Sequence, residues 1–444
     1  MVELLLVLGL LVAAFVGFNI GGSSTGVAFG PAVGSGVVTK LAAAALMSGF
    51  ALLGGATFGT EVIETMGGRI VPEGQFTLPV SVAILFFVGM ALLVSNAFGV
   101  PASTSMTAVG AIAGLGVATG TLDEGVMLEI VSWWVVAPVL AFWVCAVIGR
   151  YAYPALDARF AVDRTPGPTF ALERGGSIPR PTLADGTTPR EAVSTVLVVV
   201  IACYMAFSAG ASNVANAVAP LVGAGEIGLY AGVALGGGAI GLGAFTIARR
   251  TLDTVGNDLT DLPILAALVV EVVSASLISF LSWLGIPASL AVSATMCIVG
   301  LGWGRATRTA TLGEIARGEG PAVSAAALAE PDAPARTIDG GGAGDDATGD
   351  AAGSDYPTGI TAGSDDLTRV ESVAGRGDDS DGAARAPGAP AGAESARAEP
   401  VETDGPDGGD LFDPGTTGRV VFFWMLTPTL SAVASYLLFR FAPL

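Results

Sequence analysis

Residues 207–225 read FSAGASNVANAVAPLVGAG, and residues 18–36 read FNIGGSSTGVAFGPAVGSG. Eight positions match at a constant offset of 189 residues, including Gly21 with Gly210 and Pro31 with Pro220. Both stretches place glycine, proline and polar side chains inside apolar runs. In lipid, backbone that leaves the helix is tolerated only where it is buried in protein or lines a cavity. We therefore expect 21–36 and 210–225 to be re-entrant or unwound segments, which in transporters form the binding site.

The composition indicates an all-α polytopic membrane protein, because 52% of the residues are hydrophobic and only 13% are charged. The net charge of −19 is concentrated in residues 319–413, where 21 Asp and Glu face 5 Arg and give −16. The rest of the chain has no basic surface that could bind nucleic acid. The chain has no His, which removes imidazole proton relays and His-ligated metals. The acidic surface with a single Lys, Lys40, is typical of a halophile, here a halophilic archaeon.

The apolar runs predict about ten membrane spans plus the two re-entrant segments, arranged as two repeats. We divide the chain into repeat 1 (1–150), a linker (151–190), repeat 2 (191–304), an acidic disordered insertion (305–418) and a last helix (419–444). Five crossings per half is an odd number, so the two halves should have inverted topology. The Arg-rich linker and insertion then lie in the cytoplasm and both termini outside the cell.

The second stretch resembles the consensus of the PiT family of inorganic phosphate transporters, Gly-Ala-Asn-Asp-Val-Ala-Asn-Ala. Residues 210–217, GASNVANA, keep six of its eight positions. Pro101-Ala102-Ser103-Thr104-Ser105 resembles the family's Pro-Val-Ser-Thr-Thr-His, with Met106 in place of the His. The acidic residue of the consensus is replaced by Ser24 in the first half and Asn213 in the second. The resemblance covers both halves and stops at the acidic insertion.

Hydroxyl and amide side chains in these motifs are the candidate anion ligands. Backbone N–H groups at helix N-termini carry partial positive charge and, with neutral donors, can hold an oxyanion without Lys or Arg. Close helix packing by small residues and simple capping of a helix are the alternative interpretations. The predicted substrate ligands are Ser23, Ser24, Thr25, Ser103, Thr104, Ser105, Ser212, Asn213, Asn216 and Ser289.

Glu271 lies in the apolar run LAALVVEVVSAS, and a carboxylate inside the membrane marks a pathway or coupling site by default. Cation binding, proton exchange and pairing with an Arg remain open for it. The family resemblance implies a coupling cation, and the amide oxygens of Asn213 and Asn216 could ligate sodium. Glu271, Asn213 and Asn216 are therefore the candidate coupling-ion residues.

The resemblance implies a multi-pass transporter in the cell membrane that imports inorganic phosphate with sodium or protons by alternating access. A sulfate or other oxyanion permease is the alternative, and an anion channel ranks below both. An enzyme is not expected, since the sequence has no nucleophile with a base, and we expect no cofactor and no metal site. The sequence leaves the oligomeric state open, with a homodimer as one alternative.

Overall fold

The computed structural model describes residues 2–97, 103–160, 170–173, 180–183, 189–247, 263–308 and 414–442. The acidic insertion predicted at 305–418 lies outside these residues except at its two ends. The described part is mainly helical, as the composition predicts. Its strands are two short ones in the linker, where β1 (Phe170–Glu173) pairs antiparallel with β2 (Arg180–Leu183).

Helices of matching length follow one another in the same order in the two halves. The first half contains α1 (Val2–Gly34), α2 (Lys40–Ala56), α3 (Gly59–Glu64), α4 (Leu78–Ala97), α5 (Thr104–Thr119) and α6 (Glu124–Val147). After α7 (Tyr153–Phe160) in the linker, the second half contains α8 (Pro189–Gly223), α9 (Leu229–Thr246), α10 (Ile264–Trp283), α11 (Leu290–Ala306) and α12 (Pro414–Phe441). Single π-helical turns at Thr65–Arg69 and Ile148–Ala152 extend α3 and α6, and Glu73–Gln75 forms a 3-10 turn.

Six helices of the described residues are long and apolar enough to cross a membrane. A seventh span results if α2 and the segment Gly59–Arg69, which are bent by 62°, count as one. The helices α5 and α11 are apolar but shorter. The protein is thus a multi-pass membrane protein, whereas ten crossings stay a prediction.

The prediction that 21–36 and 210–225 are broken or re-entrant segments is wrong. Both stretches continue as helix to the ends of α1, at Gly34, and α8, at Gly223. The polar side chains of α1 satisfy themselves without unwinding it: Asn19 Nδ2 donates to the Phe15 carbonyl at 2.8 Å and Thr25 Oγ1 to the Gly21 carbonyl at 2.7 Å. Such bonds to the preceding turn keep the backbone ladder intact, so polarity and glycine did not imply a break.

The matched glycines after these two helices end them in the same way. Gly36 and Gly225 have φ of 69° and 70°, a left-handed conformation that glycine adopts without a Cβ clash. The next residue then donates back to the last turn, Val37 N to the Ala32 carbonyl at 2.9 Å and Glu226 N to the Leu221 carbonyl at 3.2 Å. This is the hydrogen-bonded glycine cap that commonly ends helices. The repeated VGxG sequence therefore defines two equivalent helix ends.

Each half packs against the other through reciprocal glycine contacts. A Cβ on Gly21 of α1 would overlap the Ile240 carbonyl of α9, and one on Gly210 of α8 would overlap the Ala51 carbonyl of α2. A second pair of reciprocal glycine contacts between the halves lies farther along the chain. Gly114 of α5 meets Ala432 of α12, and Gly300 of α11 meets the Phe142 carbonyl of α6. Small residues at these positions let helix backbones touch, which drives helix association in lipid.

The contacts also fix the relative directions of equivalent helices. Gly17 packs on Ala239 and Gly22 on Ile247, so α1 and α9 run in the same direction. Gly236 packs on Val214 and Gly232 on Val218, so α9 and α8 run in opposite directions. The first helix of one half consequently runs opposite to the first helix of the other.

We expect Gly54→Ala to destabilise the protein, because its Cβ would overlap the Phe207 carbonyl and lie 2.8 Å from Ala211 N. Forcing an extra methyl into such a contact costs about 1–3 kcal/mol. The matched control is Gly49→Ala on the same helix, where a Cβ has no neighbour within 4 Å. Thermal unfolding in detergent should give a clearly lower Tm for the first variant alone. Equal Tm values would contradict the contact.

Candidate functional site

A small cavity, about 420 Å³ when the space open to the outside is included, lies where α1, α5, α8 and α11 meet. It combines helices from both halves of the chain. Its lining residues are Ser23, Ser24, Val27, Thr104, Asn213, Ser289, Leu290 and Ala291. None of these carries a charge, so whatever the described walls bind is held by neutral groups.

Two helices begin at this cavity, α5 at Thr104 and α11 at Leu290. With 16 and 17 residues they are about 25 Å long, less than the roughly 30 Å hydrocarbon core. The first turn of a helix leaves backbone N–H groups without intrahelical partners and carries partial positive charge. Ser289 caps α11 by accepting from Val292 N at 3.4 Å. The cavity is therefore positively polarised from two sides.

A chain of hydrogen bonds runs behind the cavity wall between α8, α5 and the residues before α11. Ser212 Oγ donates to the Ala288 carbonyl at 2.8 Å and lies 3.2 Å from Ser105 Oγ. Asn216 Nδ2 lies 3.1 Å from Ser105 Oγ and 3.1 Å from Asn213 Oδ1, and Thr104 Oγ1 is 2.5 Å from Asn213 Oδ1. We call these five side chains and the Ala288 carbonyl the polar relay.

The Ala288 carbonyl determines the direction of every bond in the polar relay. A carbonyl only accepts, so the one Ser212 hydrogen is committed to it and Ser105 must donate to Ser212. Ser105 Oγ must then accept from Asn216, which places the Asn216 NH₂ group toward Asn213. Asn213 in turn presents its oxygen, which accepts from both Asn216 and Thr104. The NH₂ group of Asn213, a cavity-lining residue, remains without a partner among the described residues.

The predicted ligands fall into three groups in the structure. Those that line the cavity are Ser23, Ser24, Thr104, Asn213 and Ser289. Behind them, Ser105, Ser212 and Asn216 are fully buried in the polar relay. Thr25 and Ser103 do neither: Thr25 bonds its own helix, and the buried Ser103 hydroxyl has no hydrogen-bond partner in the described chain.

Glu271 lies outside the cavity lining, on α10. Its side chain is 4% exposed, and neither carboxylate oxygen has a hydrogen-bond partner among the described residues. One turn farther on, Ser274 contacts Met205 Sδ of α8 at 3.8 Å, and the Ala275 carbonyl accepts from Ser208 at 3.0 Å. The contact therefore places α10, one turn after Glu271, against α8 one turn before Ser212.

The sequence did not identify Val27, Leu290 and Ala291 as cavity residues, nor the Ala288 carbonyl as the acceptor that orders the relay. Apolar side chains carry no chemical signal of their own. The duplicated Pro-Ala-Ser motif was the available clue, since its second copy contains Ala288 and Ser289.

Comparison with known proteins gives the site its context. A sequence model described as "Phosphate transporter family" matches residues 20–328, which include α5, α8, α11 and the part of α1 that lines the cavity. The chain belongs to the phosphate transporter family. The expected resemblance to that family is thereby confirmed, and the protein is a membrane transporter and not an enzyme.

Proteins similar to this chain are named for two different anions, sulfate and phosphate. "Sulfate permease CysP" of Bacillus subtilis is 30% identical over 295 residues, which cover 66% of this chain and 76% of that protein. "Putative phosphate permease" of Pyrococcus furiosus is 24% identical, with 67% and 87% covered. A solved structure named "The sodium-dependent phosphate transporter" aligns with a TM-score of 0.55 at 19% identity, covering 70% of this chain and 92% of that one. At this identity the structure supports the fold alone.

We expect Ser212→Ala to destabilise the protein, because it removes the donor to the Ala288 carbonyl and the acceptor for Ser105. Leaving buried polar groups unpaired costs about 1–3 kcal/mol. Ser132→Ala is a matched control, since Ser132 is an exposed serine on α6. Thermal unfolding in detergent should separate the two variants by several degrees, and equal shifts would mean that the relay adds no stability.

Proposed function

We propose that the protein is a secondary active transporter that imports a tetrahedral inorganic oxyanion, phosphate or sulfate, across the cell membrane. The observation that carries this proposal is the convergence of two helix N-termini and neutral hydroxyl and amide groups on one cavity. Such groups can replace the water around an anion. Without a Lys or Arg among the described lining residues, binding stays weak enough for release on the other side.

The names of similar proteins support both phosphate and sulfate as the substrate. The family description and the name of the similar solved structure refer to phosphate, and the Bacillus subtilis relative is named for sulfate. The two anions share a tetrahedral shape and similar size, so the neutral donors described above could serve either.

Alternating access around a midplane site between inverted repeats is the proposed mechanism. In its favour, equivalent helices α1 and α8 run in opposite directions, and the two halves exchange equivalent glycine contacts. The cavity lies between α1 and α5 of one half and α8 and α11 of the other. Rocking of one half against the other would open such a cavity to each side in turn.

We further propose sodium as the coupling ion, with Asn216 and Glu271 as alternative candidate oxygen ligands at two different places, one on α8 and the other on α10. Asn216 Oδ1 and both Glu271 oxygens are buried without hydrogen-bond partners in the described chain. Unpaired buried acceptors are costly unless a cation or proton joins them. Asn213, also predicted as a cation ligand, is less suited because its oxygen already accepts two hydrogen bonds.

The proposal predicts that proteoliposomes containing the full chain accumulate radiolabelled phosphate, sulfate or both when sodium is higher outside. Collapsing the sodium gradient with an ionophore should stop accumulation above the equilibrium level, because the cation supplies the driving force. Uptake that only equilibrates the anion, with or without the gradient, would instead identify an anion channel. Protein-free liposomes provide the background.

We expect Glu271→Gln to reduce sodium-driven uptake at least tenfold, since the amide keeps the shape but removes the charge that a cation needs. Glu129→Gln is the matched control, because Glu129 is an exposed side chain on α6. Folding of both variants is checked by their elution in size-exclusion chromatography. Unchanged sodium dependence in a folded Glu271→Gln variant would exclude Glu271 from coupling.

A further inference from the structure

We propose that Asn213 gives this cavity hydrogen-bond donors but no charged acceptor, so that it selects a tetrahedral dianion without a proton, sulfate, over phosphate. The inference rests on the proposed oxyanion transport and adds the specificity-determining residue. It follows from an inventory of the hydrogen atoms and lone pairs that face the cavity.

Three lining side chains offer hydrogens to a bound anion. The Asn213 NH₂ group is left over after the polar relay has used the Asn213 oxygen twice. The Ser24 hydroxyl is 8% exposed and makes no hydrogen bond within the described chain. Ser289 uses its oxygen to cap α11, so its hydrogen is free. The first-turn N–H groups at Leu290 and Ala291 add further donors.

Acceptors are scarce on the same walls. Thr104 has its hydrogen on Asn213, and its oxygen lies 3.3 Å from Asn216 Nδ2, whose two hydrogens are already directed to Ser105 and Asn213. Ser23 donates back to the Ile20 carbonyl at 3.1 Å, which leaves only the lone pairs of a neutral hydroxyl. No carboxylate lines the cavity in the described part of the chain. The remaining acceptors are the lone pairs of the neutral hydroxyls of Ser23, Ser24, Thr104 and Ser289, which accept less strongly than a carboxylate.

Phosphate and sulfate differ in the number of protons they carry, and a cavity lined mainly by donors distinguishes them by that difference. In neutral water inorganic phosphate keeps one or two protons, whereas sulfate keeps none. A phosphate P–O–H can donate here only to a neutral hydroxyl, which must then turn its own hydrogen away from the anion, and losing one such bond weakens binding roughly tenfold. Sulfate presents four acceptor oxygens, so every lining hydrogen that is free can point to it.

Asn213 determines this property because its side chain has one oxygen and one nitrogen. Its oxygen holds the relay together, and its nitrogen faces the anion. In Asn213→Asp the second position becomes an oxygen with negative charge, while the relay still receives its acceptor. That oxygen can accept the phosphate proton and repels a fully ionised sulfate. The variant therefore changes the preference without changing the cavity shape.

The test is competition between the two anions in proteoliposomes that contain the full chain. Uptake of labelled sulfate is measured against unlabelled phosphate and the reverse, and the ratio of kcat/KM is compared. We expect the native chain to prefer sulfate at least tenfold, and Asn213→Asp to shift the ratio at least tenfold toward phosphate. Ser24→Ala is the control: it removes a neutral hydroxyl that can donate to either anion and adds no charge, so both uptakes fall and the ratio changes much less than in Asn213→Asp.

The outcomes separate the two levels of the proposal. If the native chain prefers phosphate, the cavity does not select sulfate and this inference is wrong, but the proposed import of an oxyanion is unaffected. Transport of neither anion overturns the proposed function itself. An unchanged ratio in Asn213→Asp overturns the role of Asn213. If that variant does not fold, Ser24→Asp brings a carboxylate to the cavity from α1, and the competition on the native chain decides without any variant.

Discussion

The close approach of helix backbones at glycine positions is the contact on which the rest of the molecule depends. In lipid there is little hydrophobic gain from joining two apolar helices, so packing must come from backbones that touch. Gly21 against Ile240 and Gly54 against Phe207 bring α1 to α9 and α2 to α8. These pairs cross between halves, and they place the polar parts of α1 and α8 beside each other. A cavity made of both halves is the result.

The polar relay orients the polar groups that this packing brings to the cavity. A single acceptor, the Ala288 carbonyl, orders Ser212, Ser105 and Asn216, and through them fixes which end of the Asn213 amide faces the cavity. Residues that line the cavity are thus oriented by residues that lie behind it. Neutral groups alone accomplish this, since the described lining contains no ionisable side chain.

The sequence predicted the class of protein, the family and most of the cavity, because duplicated motifs mark the positions that both halves use. Ser24 and Asn213 were found from the consensus, and Ser289 from the second Pro-Ala-Ser motif. The continuous helices were not foreseen, because hydrogen bonds such as Thr25 to the Gly21 carbonyl form only once the helix exists. Nor could the sequence separate Thr104, which reaches the cavity, from Thr25, which bonds its own helix. Side-chain direction on a packed helix is decided by neighbours that are distant in sequence.

The crossed pairing of α1 with α9 has a consequence for how the chain is made. Ile240 follows Gly21 by 219 residues, so the glycine face of the first helix has no partner while the first half is being synthesised. The glycine faces of the early helices must therefore be covered by lipid or by the insertion machinery until α8 and α9 have been synthesised and inserted. Contacts so distant in sequence form late and slowly. For this molecule the completion of folding is therefore set by the emergence of its second half, and the first half has no finished core to protect before then.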